Sequence, residues 1–210
     1  MIISYHGHEF FRIQFGDIVI ATNPPHASSP HAGPHFGADI VLVSLNHKDF
    51  NAAESLSHGS RSPFVVIGPG EYEIKDVVIR GFGSTTEYSG KKYSNTIYTL
   101  SLEGMQLGFL GPIQTTVLPA EAKEAFDAID ILFVPIGGGD VLSAKDAYKL
   151  ALGVEPKRII PMHGGSKSDG ALAVFLKEAG EDKKNQEEKL TIKKKDLLLD
   201  EGTVVVLKPV

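Results

Sequence analysis

The distribution of apolar runs along the chain is the feature that most restricts its fold. Over roughly the first half, the runs are short, rich in Ile, Val and Phe, and separated by Gly, Pro and Asn. Such runs predict β-strands, and we place them at residues 2–5, 9–15, 17–21, 39–44, 64–67, 71–75, 77–81, 96–102 and 105–110. The breaks at Gly16-Asp17 and Glu103-Gly104 indicate tight hairpin turns. The first half is therefore predicted to be sheet joined by hairpins.

After residue 117 the pattern changes to an alternation of helices and strands. Residues 119–128 carry helix formers with a proline in the first turn, where its missing N–H has no cost. Residues 143–152 begin with a Ser cap, and residues 169–179 also read as a helix. Apolar strands are predicted at 129–135, 158–162 and 203–207. This order predicts two sheets with helices outside them, in one domain over residues 1–210.

The chain contains no cysteine, which excludes disulfides, thiolate zinc sites, iron–sulfur clusters and cysteine nucleophiles. A transition-metal site therefore needs His and carboxylate ligands. The 21 basic and 26 acidic residues give a net charge of −5, so we expect no nucleic acid partner. No apolar run reaches a membrane-spanning length, so no membrane partner is expected. No leader pattern is visible either, and with the lack of cysteine this predicts a cytoplasmic location.

Two predicted strands run directly into turns that carry histidine. Residues 39–50 end in a polar turn with His47 and Asp49, and residues 158–164 deliver His163 to a glycine-rich turn. Strand ends commonly hold reactive groups because the scaffold is rigid and the loop side chains are free. The alternatives are a surface turn in which Asp49 caps the next helix, and a His163 ring bonded to backbone carbonyls.

A third segment repeats a Pro-His step at His26, His31 and His35. Histidine-rich tracts can bind metal. The alternative is a stiff polar loop, because proline holds the local chain extended.

Several short patterns follow one another along the chain in an order that resembles a known family. They are Gly-His-x-x-Phe-x-Ile at 7–13, Gly-x-Tyr-Glu at 70–73, Asn-x-Ile-Tyr at 95–98, Asp-x-Leu-x-x-Pro-x-Gly-Gly at 130–138 and Ile-Pro-Met-His at 160–163. The chain resembles the metallo-β-lactamase superfamily, most closely the branch of predicted metal-dependent hydrolases that includes the L-ascorbate-6-phosphate lactonase group. The resemblance implies an α+β fold, a four-layer αββα sandwich.

The metal ligands are where this sequence departs from that family. The family pattern Thr-His-x-His-x-Asp-His corresponds to residues 44–50, where Leu45 and Phe50 replace two histidines. Pro112 stands where the family has its bridging aspartate. By resemblance, His47 would serve the first zinc, and Asp49 and His163 the second. Apolar replacements disfavour a hydrated dication, so we expect the dinuclear zinc site to be largely lost and at most one transition metal to bind.

Two hypotheses follow from this departure. In the first, the protein is impaired or inactive as a two-metal hydrolase and acts as a binding or regulatory module for an unidentified small molecule. In the second, it is a hydrolase of a small ester, lactone or phosphoester with a rebuilt mononuclear site. That site would contain His47, Asp49 and His163, with Asp49 as the residual catalytic residue and His26, His31 or His35 as supplementary ligands. The expected cofactor is none or a single divalent metal, zinc by preference, and a homo-oligomer is left open.

Overall fold

The computed structural model describes residues 1–164, 169–182, 185–198 and 200–210. The strands in this part are β1 Ile2–Tyr5, β2 Phe11–Phe15, β3 Ile18–Thr22, β4 Ile40–Val43, β5 Phe64–Ile67, β6 Gly70–Ile74, β7 Val77–Tyr88, β8 Lys91–Leu102, β9 Met105–Phe109, β10 Ile131–Pro135, β11 Arg158–Met162, β12 Leu190–Thr191 and β13 Thr203–Val204. The α-helices are α1 Ala120–Phe126, α2 Ala144–Val154 and α3 Asp169–Glu178, with 3-10 turns at Ala53–Leu56 and Lys194–Leu197.

The strands form two mixed sheets. The first has the order β12-β1-β2-β3-β4-β5 and the second β13-β11-β10-β9-β8-β7-β6. In the first sheet β3, β4 and β5 are parallel. In the second sheet β9, β10, β11 and β13 are parallel. Parallel strands carry their carboxyl ends to one edge of a sheet, where loops can bring functional side chains together.

The largest core lies between the two sheets. It contains apolar side chains of the first sheet, such as Ile3, Phe11 and Ile20, packed with side chains of the second, such as Leu107, Phe133 and Ile160. These side chains are almost completely buried, and the burial of each stabilises the fold by roughly 1.5–3 kcal/mol. This contact fixes the position of one sheet relative to the other.

The outer faces of the sheets are covered differently. All three α-helices pack on the second sheet, with Phe126, Leu150 and Phe175 in a shared buried cluster. The first sheet is covered by the short turn that carries Leu56 and by the segment between β3 and β4, which contributes Phe36. The predicted sandwich of two sheets with helices outside is confirmed, with a thin layer over the first sheet. No helix in the described part of the chain is long and apolar enough to cross a bilayer.

One hairpin is longer than the sequence predicted. Strands were expected at 77–81 and 96–102, but β7 and β8 form a continuous ribbon that turns at Ser89 and Gly90. Both turn residues have positive φ, 49° and 72°, as a type I′ hairpin turn requires. The additional residues alternate between buried and exposed positions and are mostly polar, so they form no apolar run. The extension matters because it places Tyr88 at its end.

We predict that Gly137→Ala destabilises the protein, because a Cβ at Gly137 would collide with the backbone carbonyl oxygen of His163. The expected loss is about 1–3 kcal/mol of unfolding free energy, measured by urea denaturation. Gly153→Ala is the matched control, because a Cβ at Gly153 would meet nothing within 4 Å. Gly153 lies in α2, where replacing glycine by alanine raises the unfolding free energy by up to about 1 kcal/mol. Equal stability of the two variants would contradict the close approach.

Candidate metal centre

The ends of several strands bring a group of polar side chains together, which we call the polar cluster: His8, Glu9, His31, Asp49 and His163. His8 and Glu9 follow β1, Asp49 follows β4 and His163 follows β11. The ring centroids of His8 and His31 are 4.0 Å apart, and so are those of His8 and His163. The His8 ring therefore contacts both of the other imidazoles.

His31 reaches the polar cluster from the irregular segment between β3 and β4. Ser29 holds this part of the segment, since its Oγ accepts a hydrogen bond from the His31 backbone N–H at 3.0 Å. The Ser29 N–H donates in turn to the His26 carbonyl at 2.8 Å, and the His26 N–H donates to the Lys48 carbonyl at 2.7 Å. These bonds tie the segment to the loop that carries Asp49.

Two overlapping sets of three residues have the spacing of metal ligands. His8, His31 and Asp49 each offer a ligand atom, and these atoms all lie within 4.8 Å of one another. His8, Glu9 and His163 form the second set under the same limit. Two imidazoles with a carboxylate are a common ligand set for zinc and other first-row divalent metals. His8 belongs to both sets.

The Tyr88 hydroxyl determines which nitrogen of His8 carries the proton. It donates its one hydrogen to Asp49 Oδ2 at 3.0 Å, since a carboxylate oxygen only accepts. Towards His8 Nε2, at 3.2 Å, the same oxygen can then only accept. His8 Nε2 therefore carries a hydrogen. Burial lowers the pKa of His8 well below its usual value, and the nearby His163 and His31 lower it further, so the ring is neutral and Nδ1 keeps its lone pair.

Two buried atoms of the polar cluster have lone pairs and no partner. Neither His8 Nδ1 nor Asp49 Oδ1 has a hydrogen-bond partner among the described residues. His8 and Asp49 are each only 6% exposed, and an unsatisfied buried polar atom costs about 1–3 kcal/mol. A divalent cation needs such deprotonated donors, so these residues fit a metal ion.

Glu9 holds His163 in a defined orientation. Its carboxylate is fully buried, and His163 Nδ1 lies 2.9 Å from Oε1. Asn23 donates to Oε2 at 2.9 Å and accepts from the Ser44 backbone N–H at 2.7 Å. Burial raises the pKa of Glu9, while the bonds from His163 and Asn23 act in the opposite direction. A carboxylate on one imidazole nitrogen leaves the other free for a ligand, as in many metal sites.

The backbones of His8 and His163 are strained and joined to each other. Their φ angles are 55° and 54°, in the left-handed region that non-glycine residues rarely adopt. The His163 N–H donates to the His8 carbonyl at 2.7 Å, and the Tyr5 hydroxyl donates to the same carbonyl at 3.0 Å. These bonds fix the two histidines relative to one another.

An apolar group borders one side of the polar cluster. Leu45 and Phe50 are fully buried and pack with Tyr88 and Tyr93. The Phe50 ring lies 4.8 Å from the His8 ring and 5.0 Å from the Tyr88 ring. Leu45 and Phe50 thus make this side of the site hydrophobic.

The residues singled out from the sequence are distributed unevenly around this centre. Asp49, His163 and His31 belong to the polar cluster. His47 lies beside it, with Nδ1 3.4 Å from Asp49 Oδ2, and is in neither ligand set. His26 and His35 are exposed and are likewise in neither set. The predicted ligand set of His47, Asp49 and His163 stays a prediction.

The structure also resolves the alternatives for two of these residues. Asp49 does not cap the following turn, whose capping residue Ala52 makes no side-chain bond, but accepts from Tyr88 instead. The His163 ring bonds the Glu9 carboxylate rather than a backbone carbonyl.

Sequence reasoning missed His8 and Glu9 as site residues. A usable signal was present, because the Gly7-His8-Glu9 turn follows the strand at 2–5 in the same way that His47 and His163 follow theirs. The criterion of polar residues at strand ends therefore selects them too.

Comparison with known proteins gives concordant matches. A family model described as the beta-lactamase superfamily domain matches residues 2–163. A UPF0173 metal-dependent hydrolase of Carboxydothermus hydrogenoformans is 28% identical over 193 residues, covering 78% of this chain and 84% of that protein. A relative of the same description from Thermoplasma acidophilum is 26% identical over 188 residues, covering 77% and 82%.

A solved structure of a metallo-β-lactamase-superfamily protein from Thermotoga maritima has a TM-score of 0.75 with this fold. It is 27% identical, and the match covers 98% of this chain and 97% of that one. The narrower likeness to the lactonase group stays a prediction.

We predict that protonation of His8 destabilises the metal-free protein in acid. Since burial lowers the pKa of His8, the unfolded chain binds more protons below the ordinary histidine pKa of about 6.5, and unfolding becomes easier as the pH falls through that range. Glu9, whose pKa is raised, has the opposite effect on the pH dependence of the unfolding free energy. The test therefore compares this pH dependence between a His8 variant and the unsubstituted protein.

Between pH 7 and pH 5, His8→Phe is expected to lose less unfolding free energy than the unsubstituted protein, by up to about 1.4 kcal/mol per pH unit. Urea denaturation at both pH values measures it. His26→Phe, at an exposed position, serves as control and should follow the unsubstituted protein. If His8→Phe lost more unfolding free energy between pH 7 and pH 5 than the unsubstituted protein, the lowered pKa of His8 would be refuted.

We also predict that Tyr88→Phe lowers the unfolding free energy by about 1–3 kcal/mol, because Asp49 Oδ2 and His8 Nε2 then both lose their buried partner. Thermal or urea denaturation is the measurement. Tyr93→Phe in the same aromatic group is the control, since the Tyr93 hydroxyl bonds to no other described residue and should change stability by under about 0.5 kcal/mol. Equal losses of unfolding free energy in Tyr88→Phe and Tyr93→Phe would argue against a Tyr88 hydroxyl that bridges Asp49 and His8.

Proposed function

We propose, because the chain belongs to the beta-lactamase superfamily domain family, that it is a metal-dependent hydrolase with a single-metal centre. The observation that carries the proposal is the pair of buried, unpartnered donors His8 Nδ1 and Asp49 Oδ1. The description of curated relatives as metal-dependent hydrolases supports it as well.

The metal ligands in this proposal are His8, His31 and Asp49. Three protein ligands with an open position are the usual arrangement of a catalytic zinc site. When bound, a divalent cation supplies a Lewis acid that polarises a carbonyl or phosphoryl oxygen and lowers the pKa of water. Zinc is the expected ion, since imidazole and carboxylate ligands suit it.

The remaining polar residues act on the ligands. Tyr88 holds Asp49 and keeps His8 in the form with a free Nδ1. Glu9 orients His163 with its second nitrogen available at the edge of the centre. His47 Nδ1 lies next to Asp49 Oδ2 and accepts a hydrogen bond from the Asp49 backbone N–H at 3.3 Å, so it supports the loop that carries this ligand. A cytoplasmic location and the absence of nucleic acid and membrane partners remain part of the proposal.

A second candidate is a metal-free binding or regulatory module. The specific observation in its favour is that Leu45 and Phe50 are completely buried and that Phe50 packs on the His8 ring. This apolar side resists the entry of a hydrated dication. The two candidates differ in whether the protein takes up metal.

Zinc titration of the metal-free chain by calorimetry tests the proposal. We expect one equivalent per chain, because the ligand sets share His8, and we expect His8→Phe to weaken binding at least about 100-fold. His47→Phe should keep an affinity within about threefold of the unsubstituted protein. His58→Phe, an exposed position, controls for non-specific histidine effects.

Other results of the zinc titration would favour a different ligand set or a different function. Loss of zinc binding in His47→Phe but not in His8→Phe would favour the ligand set of His47, Asp49 and His163. Two equivalents would contradict a single-metal centre. Absence of binding in the unsubstituted protein would favour the metal-free module. Turnover of an ester, a lactone and a phosphoester by zinc-loaded protein, compared with metal-free protein, tests the activity.

A further inference from the structure

Strand β5 forms a free edge of the first sheet. It is the last strand in the order of that sheet and pairs in parallel with β4 alone. The Phe64 N–H donates to the Asp39 carbonyl at 2.8 Å, so the backbone groups of Phe64 and Val66 are directed towards β4. Those of Val65 and Ile67 are directed away from β4, because successive residues of a strand alternate. The N–H and C=O groups of these two residues are therefore open to a further strand.

The side chains at this edge are apolar and exposed. Phe64 is 50% exposed, Val65 37% and Ile67 62%. Natural edge strands are generally protected from pairing by charged side chains, by proline or by a covering segment. Residues 64–67 contain no charge and no proline, and their exposure shows that no described segment covers this edge. An exposed apolar strand of this kind is a template for pairing with another strand.

The sequence around β5 fits a second copy of the same strand. Pro63 and Pro69 flank it, each three residues from Val66, and proline has no N–H to donate, so pairing ends at the same distance on both sides. An antiparallel pair of identical strands has a two-fold axis. An axis at Val66 places Val65 opposite Ile67 of the other copy. These are the residues with open backbone groups, and each such pair exchanges two hydrogen bonds.

The charges on either side of β5 complement each other in an antiparallel pair. Arg61 precedes β5 and Glu73 follows it in β6. Both are exposed, and the ion pairs formed nearby in the described part of the chain belong to Lys75 and Arg80 instead. Antiparallel pairing brings the segment before β5 in one copy towards the segment after β5 in the other, so opposite charges approach. Parallel pairing would bring like charges together, which is unfavourable.

We propose that two copies of this chain associate through β5, in an antiparallel pair centred on Val66 that joins their first sheets into one continuous sheet. Val66 faces the core between the sheets, so Val65 and Ile67 lie on the outer face of the joined sheet. Apolar pairs across the two strands stabilise the contact there. One short strand from each copy forms the contact, which corresponds to a weak, reversible dimer. The contact contains no residue of the polar cluster and is independent of the proposed function.

Sedimentation equilibrium of the metal-free chain tests the association. A chelator is included, because zinc held between exposed histidines of two molecules would also link them. We expect a monomer–dimer equilibrium with a dissociation constant on the order of 10–100 μM. A chain that remains monomeric at about 500 μM would overturn the inference and would leave this edge for a strand of a different protein.

Substitutions in β5 test where the contact lies. Ile67→Lys should weaken dimerisation at least about 30-fold, because the pair would remove the lysine from water. Val78→Lys is the matched control, since Val78 is 43% exposed in β7, and its dissociation constant should stay within about twofold of the unsubstituted chain. Val65→Pro removes an outward N–H and repeats the test if Ile67→Lys does not fold, which urea denaturation shows. Unchanged dimerisation in both β5 variants would overturn the inference.

Charge reversal tests the antiparallel arrangement. Arg61→Glu and Glu73→Arg should each weaken dimerisation about threefold to tenfold at low ionic strength, because each brings like charges together. The variant with both reversals has opposite charges again, so its dissociation constant should return to within about twofold of the unsubstituted chain. Single variants without effect, or a double variant that dimerises more weakly than either single variant, would overturn the antiparallel arrangement.

Discussion

The buried carboxylate of Glu9 is the constraint on which the geometry of the site depends. A carboxylate with no exposed surface is tolerated only when hydrogen bonds replace its hydration. Those bonds come from Asn23, which follows β3 in the first sheet, and from His163, which follows β11 in the second. The position of Glu9 therefore sets how the two sheets meet at the edge where the polar cluster lies. A substitution that left Glu9 without these hydrogen bonds would therefore also displace His163.

The general architecture was readable from the sequence because it depends on simple patterns. Short apolar runs with turn residues give strands, and their replacement by helix–strand alternation after residue 117 gives the second half of the sandwich. The ribbon of β7 and β8 was underestimated because its outer part is held by backbone pairing of polar residues such as Ser84 and Asn95. Strand pairing of this kind is a non-local property. It leaves little trace in hydrophobicity.

The candidate site was only partly predictable. The strand-end criterion found Asp49 and His163, and the repeated Pro-His steps drew attention to His31 along with two exposed histidines. What spacing cannot reveal is which imidazole of a loop turns inward, since that depends on single hydrogen bonds such as the one from the His31 N–H to Ser29. His8 meets the strand-end criterion as well, but side-chain patterns do not encode the left-handed backbone conformation that it shares with His163.

The origin of the cluster residues in both sheets has an energetic consequence. His8 and Asp49 follow strands of the first sheet, and His163 follows a strand of the second, so a ligand that contacts all three recognises only the docked arrangement. By linkage, such a ligand adds its binding free energy to the docking of the sheets, by about 2.7 kcal/mol when its concentration is 100 times its dissociation constant. The melting temperature of this chain would then increase with the fraction of chains that have the ligand bound.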